Sequence, residues 1–304
     1  MTTPDFPVLT RPVAEQVSLT PHTTWRLGGP ARWMVFPVTT LEIAQLVQRL
    51  AGKVPWLVLG GGSNVLVDDA GFHGVVLNLT AGLNRLHLVD AVTIEAEAGV
   101  STRALAHFAR HQGLTGAEFL SGIPGSVGGA LRMNAGAYGG DMSKILLSAR
   151  ILTPTGQEQE QTPRELGMSY RHTNLAAGSI FLSGRFRLQS EDPAIIRRTM
   201  QDFNHRRIAS QPLNHPSAGS VFCNPPRGPA AWRLIEAAGL RGVWQGQAQV
   251  AEKHCNFILN RGGARSRDVL TLMETIREKV LHDSGIELKP EVCVLSPDGT
   301  SPPW

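Results

Sequence analysis

The sequence predicts a globular chain of mixed helices and strands, and three observations support this. Of its 304 residues, 42% are hydrophobic and 18% are charged, which is typical of a folded globular protein. Apolar residues at helical spacing alternate along the chain with short β-branched runs. Glycine-rich stretches lie between several of these segments, where the backbone turns tightly or allows a ligand to approach.

Composition also limits the class of function. The net charge is +4 and the basic residues are scattered without interleaved aromatics, so we expect no nucleic-acid partner. Cys223, Cys255 and Cys293 lack the spacing of metal ligands or redox pairs, which indicates a reducing compartment and predicts no metal site. The N-terminus does not resemble a signal peptide and no apolar run could cross a bilayer. We therefore expect a cytoplasmic protein without membrane insertion.

The first third of the chain predicts a β-α-β-β order. Residues 1–20 are expected to form an arm without regular structure. Thr39 or Thr40 can cap a helix over 40–50, whose apolar residues recur at helical spacing. The strands are predicted at 32–37, 57–59, 65–67 and 74–79.

The middle third predicts strands around one helix. Ser101 can cap a helix over 102–112 that ends at Gly113. A glycine-rich but apolar stretch covers 116–141. The strands are predicted at 86–89, 92–99, 145–153 and 180–188. The composition shift at 189–193 indicates a domain boundary.

The last third predicts three helices and two strands. Asp192 and Pro193 favour the start of a helix there. The helices are predicted at 194–208, 230–238 and 267–283, the strands at 254–260 and 290–295, and a turn-rich segment at 211–226. The apolar face of the last helix is predicted to comprise Val269, Leu272, Met273, Ile276 and Val280.

The stretch LVLGGGSNVLV, residues 57–67, contains the consecutive glycines of a candidate dinucleotide-binding loop. A Rossmann loop needs a third glycine where Val65 stands, and a helix after it. The residues that follow favour a strand, so the motif is not a Rossmann loop. It predicts instead a concavity of backbone N–H groups that binds an anion, with a plain turn as the alternative. A second glycine-rich segment at 122–129 favours a ligand with two phosphates, such as a dinucleotide.

Six stretches resemble one known family. The stretches, in chain order, are TTWRLGGPA (23–31), LGGGSNVLV (59–67), GAEFLSGIPGSVGGALRMNAGAYGGD (116–141), SYR (169–171), QPLNHPSAGSVFCNP (211–225) and KPEVCVL (289–295). Together they resemble the UDP-N-acetylenolpyruvoylglucosamine reductases, which are flavoenzymes of peptidoglycan precursor synthesis.

The resemblance implies an α+β architecture. The implied fold is the p-cresol methylhydroxylase-type FAD-binding fold of two subdomains, followed by a C-terminal α+β substrate domain. The corresponding divisions are 1–85, 86–190 and 191–304. The absence of a long insertion after FLSGRFRL implies the compact subtype without a tyrosine loop.

The resemblance also implies the reaction. Non-covalently bound FAD is reduced by NADPH, which leaves and is replaced by UDP-N-acetylglucosamine enolpyruvate. Hydride passes from flavin N5 to the terminal enol carbon, and a proton is added to the carbon that bears the carboxylate. The product is UDP-N-acetylmuramate, and the enzyme is expected to be a monomer.

Three residues match the family's catalytic positions. Arg171 would grip the carboxylate of the enediolate with its planar fork. Ser220 would donate the proton, which a weak acid can do when the acceptor is strongly basic and well placed. Glu291 would lie beside the developing enol. The structural alternatives are a surface arginine, a turn serine and a carboxylate at a strand edge.

The binding residues are expected in two groups. The FAD-binding candidates are Gly60, Gly61, Gly62, Ser63, Asn64, Gly122, Ile123, Pro124, Gly125, Ser126, Gly128 and Gly129. The substrate-binding candidates are Tyr170, Arg207, Gln211 and Asn224, the last three for the UDP portion.

The chain departs from the family pattern at two places. Cys223 occupies the position of a lysine that is common in the family, so a lysine contact from there is in doubt. Thr173 and Leu175 replace a serine and a phenylalanine after the arginine. Two other functions remain open on sequence alone: an oxidase of the same fold with a flavin tethered through His or Cys, and a non-enzymatic nucleotide-binding protein.

Overall fold

The computed structural model describes residues 3–299, which form two compact units built from separate stretches of chain. Unit 1 comprises the chain up to Ala14, Met34–Gly61 and Val75–Arg207. Unit 2 comprises Glu15–Trp33, Gly62–Gly74 and the chain from Ile208 onward. The units are divided after Arg207 rather than at 190/191, and the three-domain division of the sequence stays a prediction.

All five predicted helices are present within residues 3–299, and two of them begin at the polar caps that the sequence predicts. Two further short helices, over 127–132 and 142–145, were not predicted. The helices are α1 (Thr40–Leu50), α2 (Thr102–His111), α3 (Val127–Arg132), α4 (Met142–Ile145), α5 (Pro193–Ser210), α6 (Ala231–Ala237) and α7 (Ser266–Ser284). The hydroxyl of Thr39 accepts a hydrogen bond from Glu42 N at 3.1 Å, and that of Ser101 accepts one from Ala104 N at 3.1 Å. These bonds satisfy N–H groups that a first turn leaves unpaired.

The eighteen strands described include all ten predicted strands, some of them shortened, and eight that the sequence did not predict. They are β1 (Ala14–Ser18), β2 (Pro30–Val35), β3 (Trp56–Leu59), β4 (Val65–Val67), β5 (Phe72–Asn78), β6 (Leu86–Leu88), β7 (Thr93–Glu97), β8 (Leu114–Thr115), β9 (Gly136–Ala137), β10 (Gly140–Asp141), β11 (Leu146–Leu152), β12 (Glu158–Gln161), β13 (Ile180–Arg187), β14 (Gln189–Ser190), β15 (Trp244–Gln245), β16 (Ala248–Val250), β17 (Ile258–Asn260) and β18 (Cys293–Leu295). The arm expected over 1–20 contains β1. The strand expected over 254–260 is shortened because Phe257 N bonds to His254 O at 3.0 Å, which makes a turn there.

Unit 1 is built on a five-stranded antiparallel sheet in the order β12-β11-β13-β7-β6. Helix α3 packs against β13, where a Cβ on Gly184 would lie 3.3 Å from Leu131. A parallel pairing joins β3 to β5, with Trp56 opposite Val75. Because β3 ends at Leu59, this pairing determines where the glycines after it emerge.

In unit 2 a three-stranded antiparallel sheet has the order β15-β16-β17. Helices α6 and α7 share one hydrophobic core with this sheet. All five residues predicted for the apolar face of α7 are buried in that core, which confirms the helical pattern. Trp25 is also buried there, and its Nε1 donates to Ile258 O at 2.7 Å. A parallel pairing of β18 with β4 joins the C-terminal segment to the glycine loop.

Across residues 3–299, no helix combines the length and the apolar content that crossing a membrane requires.

Candidate functional site

In unit 1 the two glycine-rich segments approach each other backbone to backbone. A Cβ on Gly61 would lie 2.7 Å from the Cα of Gly125, and one on Gly60 would collide with the hydroxyl of Ser126. A Cβ on Gly128 would lie 2.9 Å from that of Ala98. At Gly61 and Gly128 these distances are shorter than carbon–carbon contact, so a side chain there would force the neighbouring segment to move. We call Gly60, Gly61, Gly125 and Ser126 the glycine cradle.

A cavity of about 530 Å³ lies beside the glycine cradle within unit 1. Gly60, Ser126, Gly128 and Gly129 form one wall. The other lining residues are Val54, Pro55, Trp56, Leu57, Val58, Leu79, Ala98, Arg132, Leu175, Gly178, Ser179, Ile180 and Phe181. Sequence reasoning missed most of this set. The sequence feature that could have indicated these residues is the apolar run of β3, which leads directly into the glycines. In the structure Trp56, Leu57 and Val58 of this strand are only half-buried.

Gly62, Ser63 and Asn64 belong to unit 2. Gly62 has a φ of +59°, and Thr24 N donates to its carbonyl at 2.9 Å. Asn64 Nδ2 donates to Glu291 O at 3.0 Å, and Cys293 N donates to Asn64 O at 3.0 Å. One N–H of the Asn64 amide therefore holds the segment that carries Glu291, a use that the sequence did not indicate.

Arg171 lies in unit 1 on a strained turn. Its φ of +54° is left-handed, which is unfavourable for a residue with a side chain. Its Nη2 donates to Gly136 O at 2.7 Å, and its guanidinium carbon lies 5.1 Å from the centroid of the Tyr170 ring. Tyr170 is 59% exposed. These contacts orient a guanidinium that sequence alone could equally place on an ordinary surface.

The turn that carries Arg171 is bonded to the end of α3. Asn134 Nδ2 donates to Ser169 O at 2.8 Å, and Arg132 Nη1 donates to Thr173 O at 2.8 Å. Buried Thr173 donates its hydroxyl to Leu131 O at 2.6 Å. The serine-to-threonine departure from the family pattern therefore keeps a hydroxyl in use as a structural donor.

Arg207 contributes a partly buried cation to unit 1. A Cβ on Gly122 would lie 3.3 Å from its Cδ and Nη1, so the guanidinium borders the second glycine segment. Within residues 3–299 its Nε has no hydrogen-bond partner, and burial lowers the pKa of the guanidinium. Beside it, Tyr138 stacks on Phe203 with ring centroids 4.4 Å apart. Such a group fits an anion, and Tyr138 was missed by sequence reasoning.

Ser220 and Glu291 lie on paired segments of unit 2. Phe222 and Pro290 form an antiparallel bridge. Glu291 N donates to Val221 O at 2.8 Å, and Cys223 N donates to Lys289 O at 2.9 Å. The turn before them requires the φ of +78° at Gly219. In the described part of the chain the Ser220 hydroxyl makes no hydrogen bond. Ser220 therefore lies at a turn, and its hydroxyl is available to donate a hydrogen bond or a proton.

The remaining substrate candidates, Gln211 and Asn224, both belong to unit 2. Asn224 Oδ1 accepts from Ala231 N at 3.0 Å, where α6 begins. Gln211 lines a groove of about 510 Å³ together with Trp244 and Arg261. The Arg261 guanidinium carbon lies 5.6 Å from the Trp244 ring centroid. Asn224 is not among the residues that line this groove.

His254 is a further residue that sequence reasoning missed. Its ring lies 4.9 Å from the Phe257 ring in an edge-on contact and 6.1 Å from the Trp232 ring. Its Nδ1 is buried without a hydrogen-bond partner among the described residues, and burial lowers the pKa of the imidazole. A neutral imidazole with an unsatisfied nitrogen can hydrogen-bond a ligand.

Comparison with known proteins identifies the family. Residues 211–295 match the UDP-N-acetylenolpyruvoylglucosamine reductase C-terminal domain, and residues 31–161 match an FAD binding domain. The UDP-N-acetylenolpyruvoylglucosamine reductase of Magnetococcus marinus is 47% identical over 295 residues, covering 96% of this chain and 94% of that protein. The chain belongs to the UDP-N-acetylenolpyruvoylglucosamine reductase family.

Two other members of the family are similar to this chain along nearly their whole length. The reductase of Agathobacter rectalis is 44% identical over 284 residues, covering 89% of this chain and 90% of that protein. The crystal structure of the reductase from Thermus caldophilus is 35% identical, has a TM-score of 0.79, and covers 93% of this chain and 98% of that chain.

Family membership confirms three expectations. The fold is the expected FAD-binding fold of p-cresol methylhydroxylase type with a C-terminal domain, the cofactor is FAD, and the protein is an FAD-dependent oxidoreductase. The last point excludes the non-enzymatic alternative. The glycine cradle and its cavity fit such a cofactor, because they allow close backbone approach beside a largely apolar wall.

Proposed function

We propose that this enzyme reduces UDP-N-acetylglucosamine enolpyruvate to UDP-N-acetylmuramate with NADPH, as a cytoplasmic monomer in peptidoglycan precursor synthesis. The names of its relatives support the substrate. The observation that carries the proposal is the pairing of Val221–Cys223 with Lys289–Val292, which joins the segments of Ser220 and Glu291. Bound FAD supplies the hydride.

Three side chains have distinct roles in this proposal. Arg171 binds the substrate carboxylate through two parallel N–H bonds and stabilises the negative charge that develops there. The Ser220 hydroxyl, which makes no hydrogen bond in the described part of the chain, delivers the proton to the carbon beside that carboxylate. Glu291 lies beside the same enediolate and stabilises it.

The cofactor-binding role rests on the backbone. Gly60–Asn64 and Gly122–Gly129 are proposed to contact FAD mainly through backbone N–H groups, with the glycine cradle at the pyrophosphate. Arg207, which borders Gly122, is proposed to bind a phosphate of either the cofactor or the UDP portion of the substrate. Tyr170, Gln211 and Asn224 remain proposed substrate contacts.

Separate measurement of the two half-reactions tests the proposal. NADPH should bleach the flavin absorbance of the anaerobic enzyme, and the enolpyruvyl substrate should restore it. Ser220→Ala should leave the first step unchanged and stop the second. Ser217→Ala, in the same turn, is the matched control and should affect neither step. Unchanged reoxidation in Ser220→Ala would exclude this serine as the proton donor.

A further inference from the structure

Asn256 makes an unusual set of bonds to the segment that follows Ser220. It is buried, with 4% exposure. Its Oδ1 accepts from Phe222 N at 3.0 Å, and its Nδ2 donates to Phe222 O at 2.8 Å. Its backbone carbonyl also accepts from Val221 N at 2.8 Å. The side-chain amide thus pairs with one residue's backbone as a neighbouring strand would.

The same segment is bonded on its other side to the segment of Glu291. Val221 O accepts from Glu291 N at 2.8 Å and from Val292 N at 3.4 Å, which is the pattern of a β-bulge. The backbone after Ser220 is therefore held between Asn256 and the C-terminal segment. Because the Ser220 hydroxyl makes no hydrogen bond within residues 3–299, no hydrogen bond of its own fixes the direction of this side chain, and the position of the backbone gains importance.

We propose that Asn256 is a positioning residue for proton delivery by Ser220. The inference rests on the proposed function, in which Ser220 is the donor. A serine hydroxyl is a weak acid, so its rate of proton transfer depends strongly on alignment with the acceptor carbon. A misplacement of about 1 Å can lower a rate by about 100-fold.

Asn260 provides a matched control in the same unit. It is 6% exposed, its Nδ2 donates to Trp25 O at 3.0 Å, and its Oδ1 accepts from Gly262 N at 3.0 Å and Ala264 N at 3.2 Å. Both asparagines thus use one amide to bind backbone groups. Aspartate in either place keeps the oxygen acceptor and the size but loses the N–H donor, so the two substitutions should lower stability to a similar extent.

The experiment compares Asn256→Asp with Asn260→Asp as FAD-loaded enzymes. We expect similar decreases in the thermal midpoint and similar rates of flavin reduction by NADPH. Reoxidation by the enolpyruvyl substrate in a single turnover should fall by about 10- to 100-fold only in Asn256→Asp. Equal rates of reoxidation in the two variants, whether both reduced or both normal, would overturn the inference.

Ser220→Ala separates this inference from the proposed function. If Ser220→Ala stops reoxidation while Asn256→Asp leaves it unchanged, only the positioning role fails. If Ser220→Ala itself reoxidises normally, the donor assignment fails and the positioning role fails with it. If Asn256→Asp does not fold, Asn256→Ser and Asn260→Ser give the same comparison.

Discussion

Adding one methyl group to Gly61 tests whether the glycine cradle holds the cofactor. Gly61 does not adopt a positive φ, so Gly61→Ala introduces no backbone strain of its own. The new Cβ would lie 2.7 Å from Gly125 Cα and 3.2 Å from Gly125 C. Two carbon atoms normally approach to about 3.7 Å, so the two segments must separate by about 1 Å.

The size of the effect follows from this separation. Both atoms that the methyl meets belong to backbone, which cannot turn aside as a flexible side chain can. Overpacking of this kind costs about 1–3 kcal/mol. If this cost destabilises the FAD-bound state relative to the FAD-free state, the dissociation constant for FAD rises by about 5- to 150-fold.

Titration of the FAD-free enzyme with FAD, followed by quenching of flavin fluorescence, measures this change. Gly139→Ala is the control, because Gly139 has a φ of +82° and a Cβ added there would meet no atom of a non-neighbouring residue within 4 Å. It adds backbone strain of about 1 kcal/mol without a collision. Affinity within twofold of wild type in Gly61→Ala, or an equal loss in Gly139→Ala, would refute the reasoning.

Three other outcomes are expected. Arg171→Gly should be more stable than Arg171→Ala by about 1 kcal/mol in free energy of unfolding, because the φ of +54° suits glycine, and it should therefore have the higher thermal midpoint. Both variants should stop reoxidation in stopped-flow assays. Equal thermal midpoints would contradict the expected difference. Burial alone would raise the pKa of Glu42, but hydrogen bonds from Thr10 and nearby backbone lower it. The urea concentration at the unfolding midpoint should therefore be higher for wild type than for Glu42→Gln at pH 7. This difference should become smaller as the pH falls below about 4.3, the pKa of glutamate in the unfolded chain, towards the lower pKa of the folded state. A difference that is constant with pH would contradict this explanation. Burial raises the pKa of the Cys255 thiol, so mass spectrometry of the alkylated native protein should find exposed Cys293 labelled and Cys255 protected until unfolding; early labelling of Cys255 would contradict this.

Local features were predictable because their causes lie within a few residues. The cap of α1 is a bond from Glu42 N to Thr39, three positions apart. The apolar face of α7 repeats at the helical period and is buried as predicted. The strand expected over 254–260 begins only at Ile258 for a similar local reason, since the bond from Phe257 N to His254 O favours a turn over an extended chain.

The glycine motifs and the family resemblance also came from the sequence, including the absence of a helix after LGGGSN, where β4 follows directly. Sequence alone could not show which glycines meet, that Trp56 lines the cavity, or that the Arg207 side chain borders Gly122.

Sequence by itself therefore determined the five longest helices, ten of the eighteen strands described, the family and the residue types of the site. Tertiary structure alone decided how those residues are held. The amide of Asn64 binds the carbonyl of Glu291 across 227 positions, and that of Asn256 binds Phe222 across 34. Such bonds depend on which backbone groups the fold leaves unpaired, and no local pattern encodes that. The loop LGGGSN is thus part glycine cradle in unit 1 and part support for the Glu291 segment in unit 2.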